Sequence, residues 1–213
     1  MMELNQTEQQ LFLLKGFLKK YSKLILFLMV FFLVIFLGGG YWNYKSRKNS
    51  AEAAQIFQEV ILAEYKDDND SARAKAEQLV SEYSSTPYAK FANLMLAKMA
   101  VKTNNLDIAA EKLRAVINRP DKMQLAKHLA IVRLAGVLQQ QGKFDEALDL
   151  VSKDPESAYL SLYAQARGDV YAARGDLAQA KLAYKLALQS LPAGTQAPVL
   201  QLKFQDVGGE SNA

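Results

Sequence analysis

Cysteine is absent and histidine occurs once, as His128. Without thiols the chain can form no disulfide, no thiolate metal site and no cysteine nucleophile. A lone histidine also defeats any scheme that needs two, including the usual zinc ligand sets. It falls near the start of a helical segment, where an exposed or partly packed side chain is the plain expectation. No phosphate-cradling loop occurs either, because the one glycine run, Gly38 to Gly40, lacks a following Lys-Ser or Lys-Thr. Asp67 and Asp68 sit together in a polar stretch, where they are expected as solvated turn residues rather than calcium ligands or an acid/base pair. No catalytic residue, metal site or cofactor is therefore expected, and an enzyme is disfavoured.

Charge is nearly balanced as well. The net charge is +4 overall, but from Lys45 onward 22 basic residues face 20 acidic ones, which leaves +2. A general polyanion-binding role, and with it nucleic acid, is unsupported. Proline is sparse at five residues, and tryptophan occurs once, as Trp42. With alanine, leucine, lysine, glutamate and glutamine abundant, this composition favours helix throughout.

The run from Leu24 to Tyr44, LILFLMVFFLVIFLGGGYWNY, contains no charge at all. A membrane-spanning helix needs roughly 17 to 25 mostly apolar residues, and this run fits. Its Leu, Ile, Val and Phe side chains favour insertion by at most ~4–8 kcal/mol in sum. Lys19, Lys20 and Lys23 lie before it, and Tyr41, Trp42, Tyr44, Lys45, Arg47 and Lys48 at its end have the pattern of an aromatic belt with a stop-transfer cluster. These nine residues are the expected membrane interface. A cleaved signal peptide competes, since Gly38 and Gly40 fit a small-x-small cleavage site; the long segment before the run and the basic cluster after it favour an anchor. A buried core helix is a weaker third reading, because it would normally carry a polar stripe. Four lysines before the run against three basic residues after it only slightly favour a cytoplasmic N-terminus.

Before the run, Thr7 and Gln10 have capping-box spacing, and Leu11, Leu14 and Leu18 recur at helical intervals. Residues 7 to 20 are predicted to form an amphipathic helix. It either lies on anionic lipid headgroups or is a short frayed tail with flanking lysines.

After the run, helical periodicity recurs in pairs separated by short polar turns. The clearest pair runs from Ser161 to Leu191, with Gly168, Tyr171, Gly175, Ala180, Tyr184, Ala187 and the terminator Pro192. Small residues at Gly168 and Ala180 let two antiparallel helices approach closely, and the turn glycine supplies a left-handed backbone. This spacing resembles the tetratricopeptide repeat. A shorter copy centres on Gly142, closed early by Asp154 and Pro155. Another runs from Lys90 to Arg119, with Asn104 in place of the turn glycine and Thr86-Pro87 as a helix start. A degenerate first pair is expected at Ser50 to Lys66 and Ser71 to Tyr83, with Ala54, Phe57 and Ile61 on one apolar face. Residues 197 to 207 would cap the last pair.

The expected fold is therefore all-α: a single transmembrane helix followed by a tetratricopeptide-repeat-like right-handed solenoid. Its divisions are an N-terminal segment 1–23, the span 24–44, the repeat domain 45–207 and a disordered tail 208–213. In repeat register, the groove-facing positions of the first helices are Phe91, Leu94, Lys98, Val101 and Lys102, then Leu129, Val132, Gln139 and Gln140, then Leu162, Gln165 and Asp169. This mixture of apolar, amide and lysine side chains suits an extended polypeptide. The same positions could equally pack the core or face water.

The order of these features is similar to the YfgM-type ancillary subunits of the bacterial SecYEG translocon. The GGGYWNY exit, the RGDVYAARGD segment and the APVLQLKFQDV tail carry the resemblance most specifically. It implies a bacterial inner-membrane protein with a cytoplasmic N-terminus and a periplasmic repeat domain. It also implies association with the translocon and with a membrane-anchored periplasmic chaperone of the peptidyl-prolyl isomerase type, and contact with emerging polypeptides. A regulatory or cell-envelope assembly adaptor is the alternative.

Overall fold

A computed structural model describes residues 6–119, 123–153 and 155–210; the side chains at 6–14, 16–18, 25, 28, 30, 34 and 37–43 lie outside that description. Among the described residues there is helix and no strand. The elements are α1 (Gln6–Tyr65), α2 (Asn69–Glu82), α3 (Pro87–Lys102), α4 (Leu106–Ile117), α5 (Gln124–Gln140), α6 (Phe144–Ser152), a 3-10 turn (Ser157–Tyr159), α7 (Leu160–Arg174), α8 (Leu177–Gln189) and α9 (Pro198–Asp206). The chain divides into two compact units, Met1–Ala51 and Glu52–Ala213.

In the first unit the predicted amphipathic helix, the apolar run and the start of the helix at Ser50 are not separate elements. They belong to one helix, α1. No proline interrupts it, and Gly38 to Gly40 cost only about 1 kcal/mol each relative to alanine without a capping residue to stop the turn. Thr7 consequently lies inside α1 rather than at a cap. Leu24, Leu26, Phe27, Met29, Phe31, Phe32, Leu33, Ile35 and Phe36 are all more than half exposed. Among the described residues, no helix is long and apolar enough to cross a membrane. The Leu24–Tyr44 run lies only partly within the described side chains.

The second unit is built from helical hairpins, and each reverses by the same device. A residue with positive φ follows the first helix at Asp67 (55°), Asn104 (57°), Gly142 (74°) and Gly175 (92°). The next backbone N–H then reaches back five residues: Asp68 to Ala63 O, Asn105 to Ala100 O, Lys143 to Leu138 O and Asp176 to Tyr171 O, at 2.8–2.9 Å. This closes the orphan carbonyls of the helix end. Asn104 takes the left-handed conformation that its amide makes tolerable. Asp68 is more than a solvated turn residue, since its carboxylate caps α2 by accepting from Ser71 N–H at 3.1 Å. Hydrogen bonding from the Ser71 side chain first, and then from this N–H, lowers the Asp68 pKa.

Alanine dominates the buried positions, and three clusters of core residues follow one another along the unit. The first hairpin buries Ala53, Val60, Ala63, Ala72, Ala76 and Leu79 with Ala92 and Leu96 of α3. The apolar face expected from Ala54, Phe57 and Ile61 is therefore one position out of phase: Ile61 is 47% exposed and Phe57 half-buried. The middle cluster runs from Leu94 to Val170 through α3, α4, α5, α6 and α7. The last joins Ala164, Ala180, Tyr184 and Ala187 to Leu200 of α9, with Phe204 and Val207 partly buried. The cap expected over residues 197–207 is thus packed in place, although Val199 and Leu202 point to solvent. Gly208 also has positive φ (80°), and Gly209 N–H bonds to Phe204 O at 2.8 Å. So α9 ends as the first helices of the hairpins do, 33 residues after the Gly175 turn. α6 stops at Ser152; Asp154 lies outside the described residues.

Gly168 shows how close the α7–α8 approach is. A Cβ built there would lie 2.4 Å from ring atoms of Tyr184, whose hydroxyl is itself fixed by donating to Asp169 Oδ1 at 2.8 Å. Gly136 of α5 has open space around its Cα. In chemical denaturation Gly168→Ala should lose about 1–3 kcal/mol through overpacking, whereas Gly136→Ala should gain up to about 1 kcal/mol from helix propensity. Equal effects of the two substitutions would contradict this packing.

Candidate binding groove

One hollow of the second unit has a volume of about 630 Å³, within the usual range for ligand sites. Its walls come from the C-terminal part of α1 (Phe57, Ile61, Glu64), from α3 (Phe91, Leu94, Met95, Lys98) and from the first half of α5 (Met123 to Ala126, Leu129, Arg133), with Tyr159 at one side. A second hollow of about 440 Å³ involves Ala97, Val101, Lys102, Val137 and Gln140, and it shares Lys98 and Arg133 with the first. Together they follow the facing surfaces of α3 and α5.

The lining is mainly apolar, with a few charges. Phe57 packs its ring against Phe91 at 5.8 Å between centroids. Lys98 pairs with Glu64, a solvent-exposed contact worth at most about 1 kcal/mol. Tyr159 is held from behind. His128 stacks on its ring at 3.9 Å, and His128 Nδ1 shares a 2.8 Å hydrogen bond with the hydroxyl of buried Tyr163. Burial pushes the imidazole below its ordinary pKa, Lys127 adds to that, and Glu156 opposes it.

The whole sequence from 15 to 209 matches the tetratricopeptide repeat-like domain family. The chain belongs to that family. Proteins named ancillary SecYEG translocon subunit are similar to it along almost their full length. That of Aggregatibacter actinomycetemcomitans is 29% identical over 209 residues, covering 95% of this chain and 98% of the relative. The Neisseria gonorrhoeae protein is 28% identical, with 95% and 97% covered, and the Haemophilus influenzae protein 27%, with 87% and 90%. No solved structure matches. The resemblance carried by the span exit, the RGDVYAARGD segment and the C-terminal tail thus agrees with the names of these relatives.

Of the groove positions read from the repeat register, the structure gathers seven. Phe91, Leu94, Lys98 and Leu129 line the first hollow, and Lys98, Val101, Lys102 and Gln140 the second. Val132 is half-buried against the middle core cluster instead, and Gln139 is half-buried outside both hollows. The α7 positions Leu162, Gln165 and Asp169 line neither. Asp169 is occupied elsewhere: it accepts from the Tyr184 hydroxyl and from Lys203 Nζ at 2.7 and 2.8 Å, tying α7 to α8 and α9. Burial and this bond to Asp169 raise the Tyr184 pKa. Of the membrane-interface residues, Lys19, Lys20, Lys23, Tyr44, Lys45, Arg47 and Lys48 are exposed on α1; the side chains of Tyr41 and Trp42 are outside the described ones.

Register reasoning missed Ile61, Met95, Leu125, Arg133 and Tyr159. Phe57 and Ile61, four residues apart, were the available signal for α1, since a stripe out of phase with the buried alanines must face something else. Tyr159 sits in a 3-10 turn, for which helical periodicity offers no cue.

His128 gives this wall a pH dependence whose sign can be worked out. The imidazolium is disfavoured in the folded state, so the unfolded chain takes up the proton first as pH falls through about 6.5. Stability is fully present above that value and is lost below it. Thermal melts between about pH 7.5 and about 5.5 should show a falling Tm that is flattened in His128→Asn; an unchanged slope in the variant would remove His128 as the cause.

Proposed function

We propose that the chain is a non-catalytic ancillary subunit of the SecYEG translocon, in which Leu24–Tyr44 crosses the bacterial inner membrane and the second unit works in the periplasm. The near full-length similarity to proteins of that name carries the reading. The span is supported by the uncharged run, by its place inside an unbroken helix and by the exposed apolar side chains along it. A surface that is mostly Leu, Phe and Ile is unfavourable in water and favourable in hydrocarbon.

In this reading the α3–α5 groove holds a segment of polypeptide, either from an emerging chain or from a membrane-anchored chaperone of the peptidyl-prolyl isomerase type. A tether makes weak contacts useful, because confinement near a site raises effective concentration into the millimolar range, roughly. Adaptor work needs a shaped surface and no reactive group, which suits a chain without cysteine and with one histidine already engaged by two tyrosines.

Purification of the tagged full chain in mild detergent is expected to recover translocon subunits, and protease added to spheroplasts is expected to digest the second unit while leaving α1 before the span intact. Recovery of a single unrelated envelope protein, with the translocon intact but absent from the eluate, would favour a regulatory or assembly adaptor. A mature protein beginning at Tyr41 would end the anchor.

A further inference from the structure

The charges around the groove are unevenly placed. In the larger hollow, Phe57, Ile61, Phe91, Leu94 and Leu129 make an apolar bed large enough for bulky side chains. Lys98 and Arg133 stand where this hollow meets the smaller one, and Lys102 lies in the smaller one. Among the described residues Glu64 is the only acid lining either, and it is paired with Lys98. Among the described residues, no carboxylate forms an ion pair with Arg133 or Lys102. A guanidinium and an ammonium thus stand uncompensated beside an apolar bed.

We propose that the groove, on the reading that it holds polypeptide, selects segments in which a bulky apolar residue lies two to four positions from an acidic side chain. The apolar residue occupies the bed, and the carboxylate meets Arg133 with Lys102, where a bidentate guanidinium contact is available. The spacing follows from the helices that form the walls. From Leu129 to Arg133 the axis of α5 rises about 6 Å, and from Leu94 to Lys102 that of α3 rises about 12 Å, at about 1.5 Å per residue. An extended segment covers those lengths in about two and about four residues, at about 3.3 Å each. Basic segments are turned away by the same charges, so the groove discriminates by charge sign as well as by apolar content. Charge complementarity of this sort acts mainly on selectivity and association rate.

The test uses full-length protein in detergent and fluorescence anisotropy with a labelled peptide, GSFLSEDGS, amidated at its C-terminus so that only side-chain carboxylates are present. Three altered peptides replace Glu-Asp by Gln-Asn, Glu-Asp by Lys-Lys, or Phe-Leu by Ser-Ser. The amide peptide is expected to bind at least about fivefold more weakly than the acidic one, and raising salt from about 50 to about 300 mM should erase most of that difference. The double variant Lys102→Glu with Arg133→Glu, at two exposed positions, should prefer the Lys-Lys peptide. Equal binding of the acidic and amide peptides overturns the acidic preference and leaves polypeptide binding standing. Absence of binding by all four peptides, or binding that survives Phe91→Asp unchanged, overturns the groove reading and this inference with it. The peptide substitutions leave the protein untouched, so a variant that fails to fold cannot decide the matter.

Discussion

Each hairpin of the second unit must reverse direction within two or three residues without leaving helix-end carbonyls unpaired, and the left-handed residue followed by a five-residue backward hydrogen bond meets both demands. Asp67, Asn104, Gly142 and Gly175 hold the four turns in one conformation. With the turns alike, small residues can be set where the backbones come closest. The abundance of buried alanine and the tight seat of Gly168 against Tyr184 follow from that arrangement. So does the groove, because the repetition brings the first helices α3 and α5 to one side and leaves their outer stripes facing each other.

The groove stops where the packing changes. On α7 the position equivalent to Lys98 and Gly136 is Asp169, whose carboxylate bridges to Tyr184 and Lys203 rather than facing a hollow. At the other end, α1 supplies Phe57, Ile61 and Glu64 as a wall. The surface available to a partner is thus drawn from α1, α3 and α5, and its charges outside the Lys98–Glu64 pair are cationic.

Most of the hairpin architecture was legible from residue types with narrow conformational roles. Gly142, Gly175 and Asn104 marked turns, Pro87 after Thr86 marked a helix start, and Gly168 with Tyr184 marked a close crossing. The groove was legible where the repeat register applies, at Phe91, Leu94, Lys98 and Leu129, and illegible where tertiary contacts reassign a position, as at Val132 and Asp169. The continuity of α1 was missed for a related reason: a shift from amphipathic to apolar to amphipathic pattern looks like three elements, yet helix persists wherever nothing breaks its hydrogen bonds. Periodicity reports environment, and here environment changes along a single helix.

The tie between Asp169 and Lys203 has a consequence for how the unit forms. Core contacts here join helices that are neighbours or next-but-one neighbours in sequence, so closure is local and fast, and each hairpin has its partner as soon as the next one exists. At the last step a single helix takes the place of a hairpin, since Lys203 and Leu200 of α9 reach back to α7 and α8. A chain synthesised from its N-terminus can therefore assemble one hairpin at a time, but the end of the array stays open to fraying until α9 arrives and latches it.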